Sequence, residues 1–575
     1  MSANGVDRRR FLALAGIGAA TSAASWHRRA FAIDSPGRPE APDCVVVNAT
    51  VYTMDAQLPR AEAFAVRGGR FQAVGGNEAI RNLVRRGTPV FDAQRMCVVP
   101  GFIDCHNHTE AETLLYSVLV GNPFDDEFVS IESIVEKLKR RAAELPPGTW
   151  VEGEFFDDTK VRDTRSLNIH DLDRVSGQHP VVVHHRGGHT AFFNSVAFRL
   201  AGVTPASPNP PGGTYDRDAS GALNGRVTDN AMDVFEGVGQ RPVHSQAELD
   251  QRRRDSMAFI SKQFVRYGLT SVHHDEDDHL QALQQIRAAG DLKHRVAFEP
   301  SGALLDAMVA AQIGSGFCDE WIRYGASTEH SVDGSFSERT MALSRPYPGR
   351  SDGYRGNVTT TQDDLDAWVV RMLHAGIRPN CHANGDVAID MVLTAYERGL
   401  RSGTFTDVRP KITHCTLVND ELLQRMRALD AVPAAFTTYA YYNADKFHFY
   451  GAELMRRCMA YRSFLDAGIR VAAGSDFGPG PFSPLMGIQG MVTRRGWNGE
   501  VWGAEQRVSV TEALRINTLN GAYNSKEEAI KGSITSGKLA DFVVLEKDPH
   551  TVDPNEIAKI RINRTVTGGT VVYQA

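Results

Sequence analysis

The chain has 575 residues, too many for one ordinary hydrophobic core, so two or more domains are expected. Its composition, 42% hydrophobic and 23% charged, is that of a globular protein, and a net charge of -6 with dispersed basic residues argues against nucleic acid or an anionic membrane surface as partner. Seven cysteines in so long a chain do not make a disulfide framework.

The N-terminus reads as a targeting segment, residues 1–32. Asp7-Arg8-Arg9-Arg10-Phe11-Leu12 has the arrangement of a twin-arginine signal, followed by an Ala/Gly-rich run from Leu12 to Ser25. That run is too short and too weakly apolar for a stable membrane anchor. Ala30-Phe31-Ala32 offers a small-x-small cleavage site, so the expected location is periplasmic or secreted, through the twin-arginine pathway. A Pro-rich linker, Ser35 to Pro42, follows.

Short alternating strands come next, at Cys44–Val47, Ala63–Val66 and Phe71–Val74, and a similar register returns at Asp541–Leu545 and Arg564–Tyr573. Neither end has enough strands for a stable sheet alone. Residues 43–97 and 530–575 are therefore expected to pair into one small β-sandwich.

Between them, strands alternate with helical patterns. The first strand ends at His106, the second is Leu269–His274 after an amphipathic helix through Met257, Ile260 and Phe264, and the third is Arg295–Phe298. The fourth starts at Trp321 and leads to Glu329, the fifth runs into His382, the sixth into His414. Ala431–Phe436 is the seventh, weakened by Pro433, and Ile469–Gly474 the eighth. Eight strand-helix units predict an α/β fold, a (β/α)8 TIM barrel over residues 98–525 with its chemistry at the C-terminal strand ends. The stretch after the first strand is too long for a loop, so residues 112–248 are expected to form an inserted subdomain.

His106 and His108 sit at positions i and i+2 of an extended run and so converge on one point. Two imidazoles placed that way suit a metal ion. His382, His414 and Asp476 each follow another short apolar strand. Neutral imidazoles and a carboxylate suit zinc or a similar divalent ion, one or two per chain. Cys105, Cys381 and Cys415 neighbour these histidines but point the opposite way, as packed apolar residues. The acidic run Asp275 to Asp278 reads as a solvated loop, and Tyr439, Tyr441 and Tyr442 as either pocket wall or packed loop.

Taken together, Pro100-Gly101-Phe102-Ile103-Asp104-Cys105-His106-Asn107-His108, His185-Arg186-Gly187-Gly188-His189 with Asn194-Ser195, Asp333-Gly334-Ser335, His382-Ala383-Asn384-Gly385-Asp386, Gly474-Ser475-Asp476, Gly532-Ser533-Ile534 and Gly537-Lys538-Leu539-Ala540-Asp541 resemble the metal-dependent amidohydrolases, within them the amidohydrolase-3 group that includes N-substituted formamide deformylases. The resemblance covers nearly the whole chain after the leader. It implies that His106, His108 and Asp476 bind one metal and that His382 and His414 serve the second metal or the substrate side. It also implies that Asp476 moves the proton between water and leaving nitrogen. Many relatives carry a lysine four residues before Asp-Gly-Ser; here that position is Glu329, either a carboxylate bridging two metals or a hydrogen-bonding residue of a one-metal site. His185, Arg186, His189 and Asp333 are the substrate-side candidates.

The expected activity is hydrolysis of a non-peptide C–N bond in a small molecule: an amide, N-formyl group, carbamate or cyclic amide. An ester, lactone or small peptide on the same site is the alternative, as is deamination with a single metal. A non-catalytic binding barrel is disfavoured by the retained histidines and Asp476. Homo-oligomerisation is left open.

Overall fold

The computed structural model describes residues 40–124, 127–275 and 279–575. The targeting segment expected at residues 1–32 lies outside them. From Pro42 to Ala575 the chain forms one unit.

Its centre is a ring of parallel strands. The first half comprises β1 (Phe102–Asn107), β2 (Leu269–Asp275), β3 (Arg295–Glu299) and β4 (Ile322–Tyr324), paired in that order. The second comprises β5 (Glu329–Ser331), β6 (Asn380–Ala383), β7 (Lys411–His414), β8 (Val432–Phe436) and β9 (Ala472–Gly474), again paired in order and parallel. Two seams close the ring. At one, Asp476 N–H donates to His106 O at 3.0 Å and His108 N–H to Phe477 O at 3.1 Å. At the other, β4 and β5 are two segments of one strand position. Between them Thr328 N–H bonds Pro300 O and Ser327 N–H bonds Arg378 O. This is the (β/α)8 barrel, its fourth strand bent so that Glu329 turns toward the fifth.

Helices cover the outside because their apolar positions recur on one face. Gln246–Arg266 starts at a capping box, Ser245 with Glu248, and buries Met257, Ile260 and Phe264. The barrel interior carries a polar layer: Lys411 Nζ lies 2.8 and 2.7 Å from the two Glu299 oxygens, both side chains fully buried. His273 Nδ1 lies 2.9 Å from the same carboxylate, and Asn380 Nδ2 donates to it at 3.2 Å.

Strands from both chain ends share one sheet. Cys97–Pro100 pairs antiparallel with Phe542–Leu545, Val544 standing opposite Val98. Ile562–Thr567 and Thr570–Gln574 extend one side, Thr50–Tyr52 and Arg60–Ala61 the other. A second sheet from Cys44–Val47, Ala63–Arg67, Arg70–Gly75 and Val90–Asp92 faces it across a core of Val46, Phe64, Phe71, Val98, Phe542 and Val544. Phe64 and Phe542 meet edge to face, 4.9 Å between centroids.

After β1 the chain leaves the barrel to build the insertion. Its six-stranded sheet runs in the order Gly213–Arg217, Leu223–Asp229, Thr190–Phe193, Val181–His185, Val151–Phe156, Val118–Leu119. One face packs on Ile131–Glu144 through Ile134, Val135 and Leu138; the other buries Phe193, Phe198 and Phe235.

Candidate metal centre and its cavity

Six side chains meet at the C-terminal strand ends. Period-2 alternation turns His106 inward from β1 and brings His108 in two residues later, their rings 4.8 Å apart. Asp476 Oδ1 lies 3.0 Å from His106 Nε2 and 3.1 Å from His108 Nε2. His382 Nδ1 and His414 Nε2 approach to 2.9 Å. Glu329 stands between the two groups. Its Oε2 is 3.5 Å from His106 Nε2, 3.5 Å from His382 Nδ1 and 3.3 Å from His414 Nε2; its Oε1 is 3.5 Å from His108 Nε2.

These separations fit a metal centre. Tetrahedral ligands at about 2.0–2.1 Å from an ion sit about 3.3 Å from each other. Three overlapping groups of potential ligand atoms fall within 4.8 Å: His106, His108, Asp275 and Glu329; His106, His414 and Asp476; Glu329, His382 and His414. Buried polar atoms without a hydrogen-bond partner collect in the same place: His106 Nδ1, His414 Nδ1 and Glu329 Oε2. The donor chemistry, imidazole plus carboxylate with no thiolate, suits a divalent ion.

The backbone is held against its preferences to make this convergence. His414 and Asp476 have φ of 69° and 53°, uncommon for residues with side chains, and such strain concentrates at functional sites. Asp104 ties the seam beneath them. Its carboxylate accepts from Ser475 N–H at 2.9 Å, Ser475 Oγ–H at 2.6 Å and Asn107 Nδ2 at 2.9 Å. Tyr439 Oη donates to Asp476 Oδ2 at 3.3 Å.

The electrostatics are those of packed opposite charges. Burial works against an ionised Glu329, but His106, His414 and His382 hold its carboxyl well below the usual range. Asp476 is likewise held low against burial, by His414, His106 and His108. His414 is pushed down to about 4 by burial and by His382. Asp275 is pushed up to about 6 by burial and by Glu329.

Sequence reasoning missed Asp275. It is not part of a solvated loop: it ends β2, is 5% exposed, and its Oδ2 lies 3.6 Å from His106 Nδ1. The signal was the strand's own alternation, which puts Asp275 on the inward face with His273. Residues 276–278 lie outside the described residues. Tyr439 was named with its neighbours, and the structure makes it a buried partner of Asp476.

A cavity of about 260 Å³ opens on the centre, lined by His108, His189, Glu329, His382, His414 and Asp476 among others. The substrate-side candidates divide. His189 lines it, its ring 5.1 Å from that of His382. Arg186 reaches the wall, but its guanidinium is engaged: it donates to Gly478 O at 2.9 Å, Asn122 O at 3.1 Å, Pro123 O at 3.2 Å and the Tyr442 hydroxyl. It fastens three loops and presents no open fork. His185 is buried away from the cavity, Nδ1 3.0 Å from Glu338 Oε1 and Nε2 3.4 Å from Asp158 Oδ1. Asp333 is also withdrawn, accepting backbone N–H groups of Ala342, Asn384 and Gly385 at 2.8–2.9 Å. For His185 and Asp333 the expectation of substrate contact is corrected: each motif residue is consumed in holding a loop. Asp157, Asp158 and His185 also cluster, but Lys446 and Lys160 neutralise Asp157 and Arg339 pairs with Asp158, so that group is a compensated ion network. Cys105, Cys381 and Cys415 are buried and free, as packed residues.

An α/β barrel with imidazoles and carboxylates gathered at the C-terminal ends of its strands defines a class of hydrolytic enzymes. The pattern described as "Amidohydrolase family" matches residues 89–573. The chain belongs to the amidohydrolase family, and is thus a hydrolase acting on carbon–nitrogen bonds. The N-substituted formamide deformylase of Arthrobacter pascens is 28% identical over 546 residues, 92% of this chain and 98% of that protein. Among solved structures, an uncharacterized metal-dependent hydrolase of Pyrococcus horikoshii OT3 superposes with a TM-score of 0.67 at 21% identity, covering 89% of this chain and 98% of that one. Another, from Pyrococcus furiosus, gives 0.66 at 23% identity, with 88% and 99% covered. At such identities these two likenesses speak for the fold. Among the described residues no helix is long and apolar enough to cross a membrane.

Proposed function

We propose that the protein is an exported, zinc-dependent hydrolase that cleaves a non-peptide C–N bond of a small molecule, an N-formyl or related amide first among them. The observation that carries this reading is the placement of Glu329 at 3.3–3.5 Å from four imidazoles, with Asp476 closing the first pair. His106, His108 and Asp476 would hold one ion, His382 and His414 a second, and Glu329 would bridge. A divalent cation there supplies Lewis acidity, polarising a carbonyl and acidifying water.

The chain's own groups do the rest. Asp476, fixed by Tyr439 and two imidazoles, takes a proton from the attacking water as the C–O bond forms. It returns that proton to the leaving nitrogen as the C–N bond breaks. Arg186 and Asp333 keep the surrounding loops in place. The deformylase relative supports the N-formyl choice, and the Arg8-Arg9 leader supports export.

The test is elemental analysis of purified protein together with a panel of N-alkylformamides, acetamides, cyclic amides, carbamates and esters. Bound zinc with turnover of the formamides is expected. Metal-loaded protein that hydrolyses only esters, or releases ammonia from an aminated ring, would replace the reading.

A further inference from the structure

A second cavity, of about 780 Å³, lies between the insertion and the chain that follows β5. It has three times the 260 Å³ of the cavity at the metal centre. Volumes of about 300–1,000 Å³ suit a drug-sized molecule, and such sites favour seams between subdomains. None of the residues assigned to the metal centre lines this one. Glu338 separates the two. It lines the larger cavity, is 1% exposed, and accepts the backbone N–H of His189, which lines the smaller, at 3.1–3.2 Å.

Arg339 gives the larger cavity its chemistry. It lines the wall with φ 64°, a left-handed backbone that residues with side chains seldom adopt and that concentrates at functional positions. Its Nη2 donates to Asp158, and its guanidinium lies over the Phe449 ring, 4.4 Å from Cζ to the centroid. A guanidinium carries five N–H donors. Those on Nε and Nη1 meet no acceptor among the described residues. The other acids on these walls are occupied. The Glu338 carboxylate takes the His189 N–H and lies 3.0 Å from His185 Nδ1. Asp216 accepts from Arg226 at 2.8 Å, and Asp218 from the backbone N–H groups of Ser220 and Ala222 at 2.8 and 3.1 Å. An arginine with donors in reserve, facing a cavity, is matched by a carboxylate from outside the chain. Phe192, Tyr354 and Phe449 line the same space and offer apolar faces to whatever carries that carboxylate.

We infer that this cavity is a second ligand site, which takes a small carboxylic acid with an aromatic body: the carboxylate pairs with Arg339 and the ring packs among Phe192, Tyr354 and Phe449. The inference stands apart from the amide-hydrolase reading, because it uses none of the metal-centre residues and its test reads binding, not turnover.

The test is calorimetric titration of the metal-loaded full chain with hydrocinnamate, a phenyl ring on a short carboxylate arm. Hydrocinnamyl alcohol, the same body without the charge, is the comparison ligand. Each titration is repeated with excess acetohydroxamate, an uncharged chelator that occupies the metal cavity. The variants are Arg339→Gln, which removes the cation, and Leu223→Trp, which fills the cavity from its wall and leaves every ion pair intact. Expected are binding of the acid that acetohydroxamate does not disturb, and affinity weaker by about tenfold or more for the alcohol and in Arg339→Gln. Leu223→Trp should also weaken the acid, with metal per chain unchanged. Should Arg339→Gln fail to fold, Leu223→Trp and the alcohol decide. No binding of the acid by wild type, displacement by acetohydroxamate, equal affinity for acid and alcohol, or wild-type affinity in either folded variant would each overturn the inference.

Discussion

Replacing Lys411 with Met strikes the polar layer beneath the metal cluster. In the native barrel Lys411 and Glu299 are fully buried and meet through two contacts of 2.7–2.8 Å. Burial opposes an ionised Glu299, but Lys411 and then His273 hold its carboxyl at about 2. Lys411→Met leaves that carboxylate in the core with only His273 and Asn380 beside it. Breaking a buried pair from one side costs about 3–5 kcal/mol, because the remaining charge is uncompensated. Adding Glu299→Gln removes the charge and keeps the amide within reach of His273 and Asn380, so the double variant should recover at least half the loss. Urea unfolding at pH 7 and fixed zinc concentration measures both. A single-variant loss below about 1 kcal/mol, or a double variant less stable than Lys411→Met, would refute the argument that charge compensation holds this layer.

Glu329→Gln keeps the shape between the four imidazoles and removes the charge that would offset two cations in the bridged reading; on that reading metal per chain should fall from two to one and hydrolysis with it, and an unchanged ratio would discard the bridge. His294, 3.0 Å from His274, is held down to about 3 by burial, against an ordinary value of 6.5. The unfolded chain therefore takes up a proton below 6.5 that the fold refuses, and stability present above 6.5 is lost as pH falls toward 3. The loss reaches about 2 kcal/mol at pH 5. His294→Gln should flatten the melting temperature between pH 6.5 and 5; an unaltered slope would refute this. Arg8→Lys with Arg9→Lys should trap the precursor in the cytoplasm, and undisturbed export in fractionated cells would refute the leader assignment.

The central residues were legible because each carries its own local signal. His106, His108, His382, His414 and Asp476 end apolar strands, and the barrel rule says where strand ends point. Asp275 was hidden by the acids that follow it, which outweighed the strand alternation placing it inward. His185, Arg186 and Asp333 look alike in sequence, polar residues in Gly-rich motifs. What separates them from His189 is which partner the fold brings near: the Glu338 carboxylate for His185, three accepting carbonyls for Arg186, three donating backbone N–H groups for Asp333. Except for Ala342, nine residues from Asp333, those partners lie 51 to 292 residues away on other segments, beyond the reach of local pattern.

The sheet shared by the two chain ends imposes an order in time. Val98 pairs with Val544, about 450 residues later, so the strand Cys97–Pro100 leaves the ribosome long before its partner exists. At ~5–20 residues per second, that edge stays open for roughly 20–90 s. Throughout that interval Val98 and Val99 are an unpaired apolar β-edge, the kind that recruits chaperones or neighbouring chains. A nascent chain stalled before Phe542 would hold its cluster histidines and still lack the strand that covers this edge. Complete synthesis is thus the step that seals the molecule, and ribosome-bound chains of increasing length should lose chaperone association only after the final strands emerge.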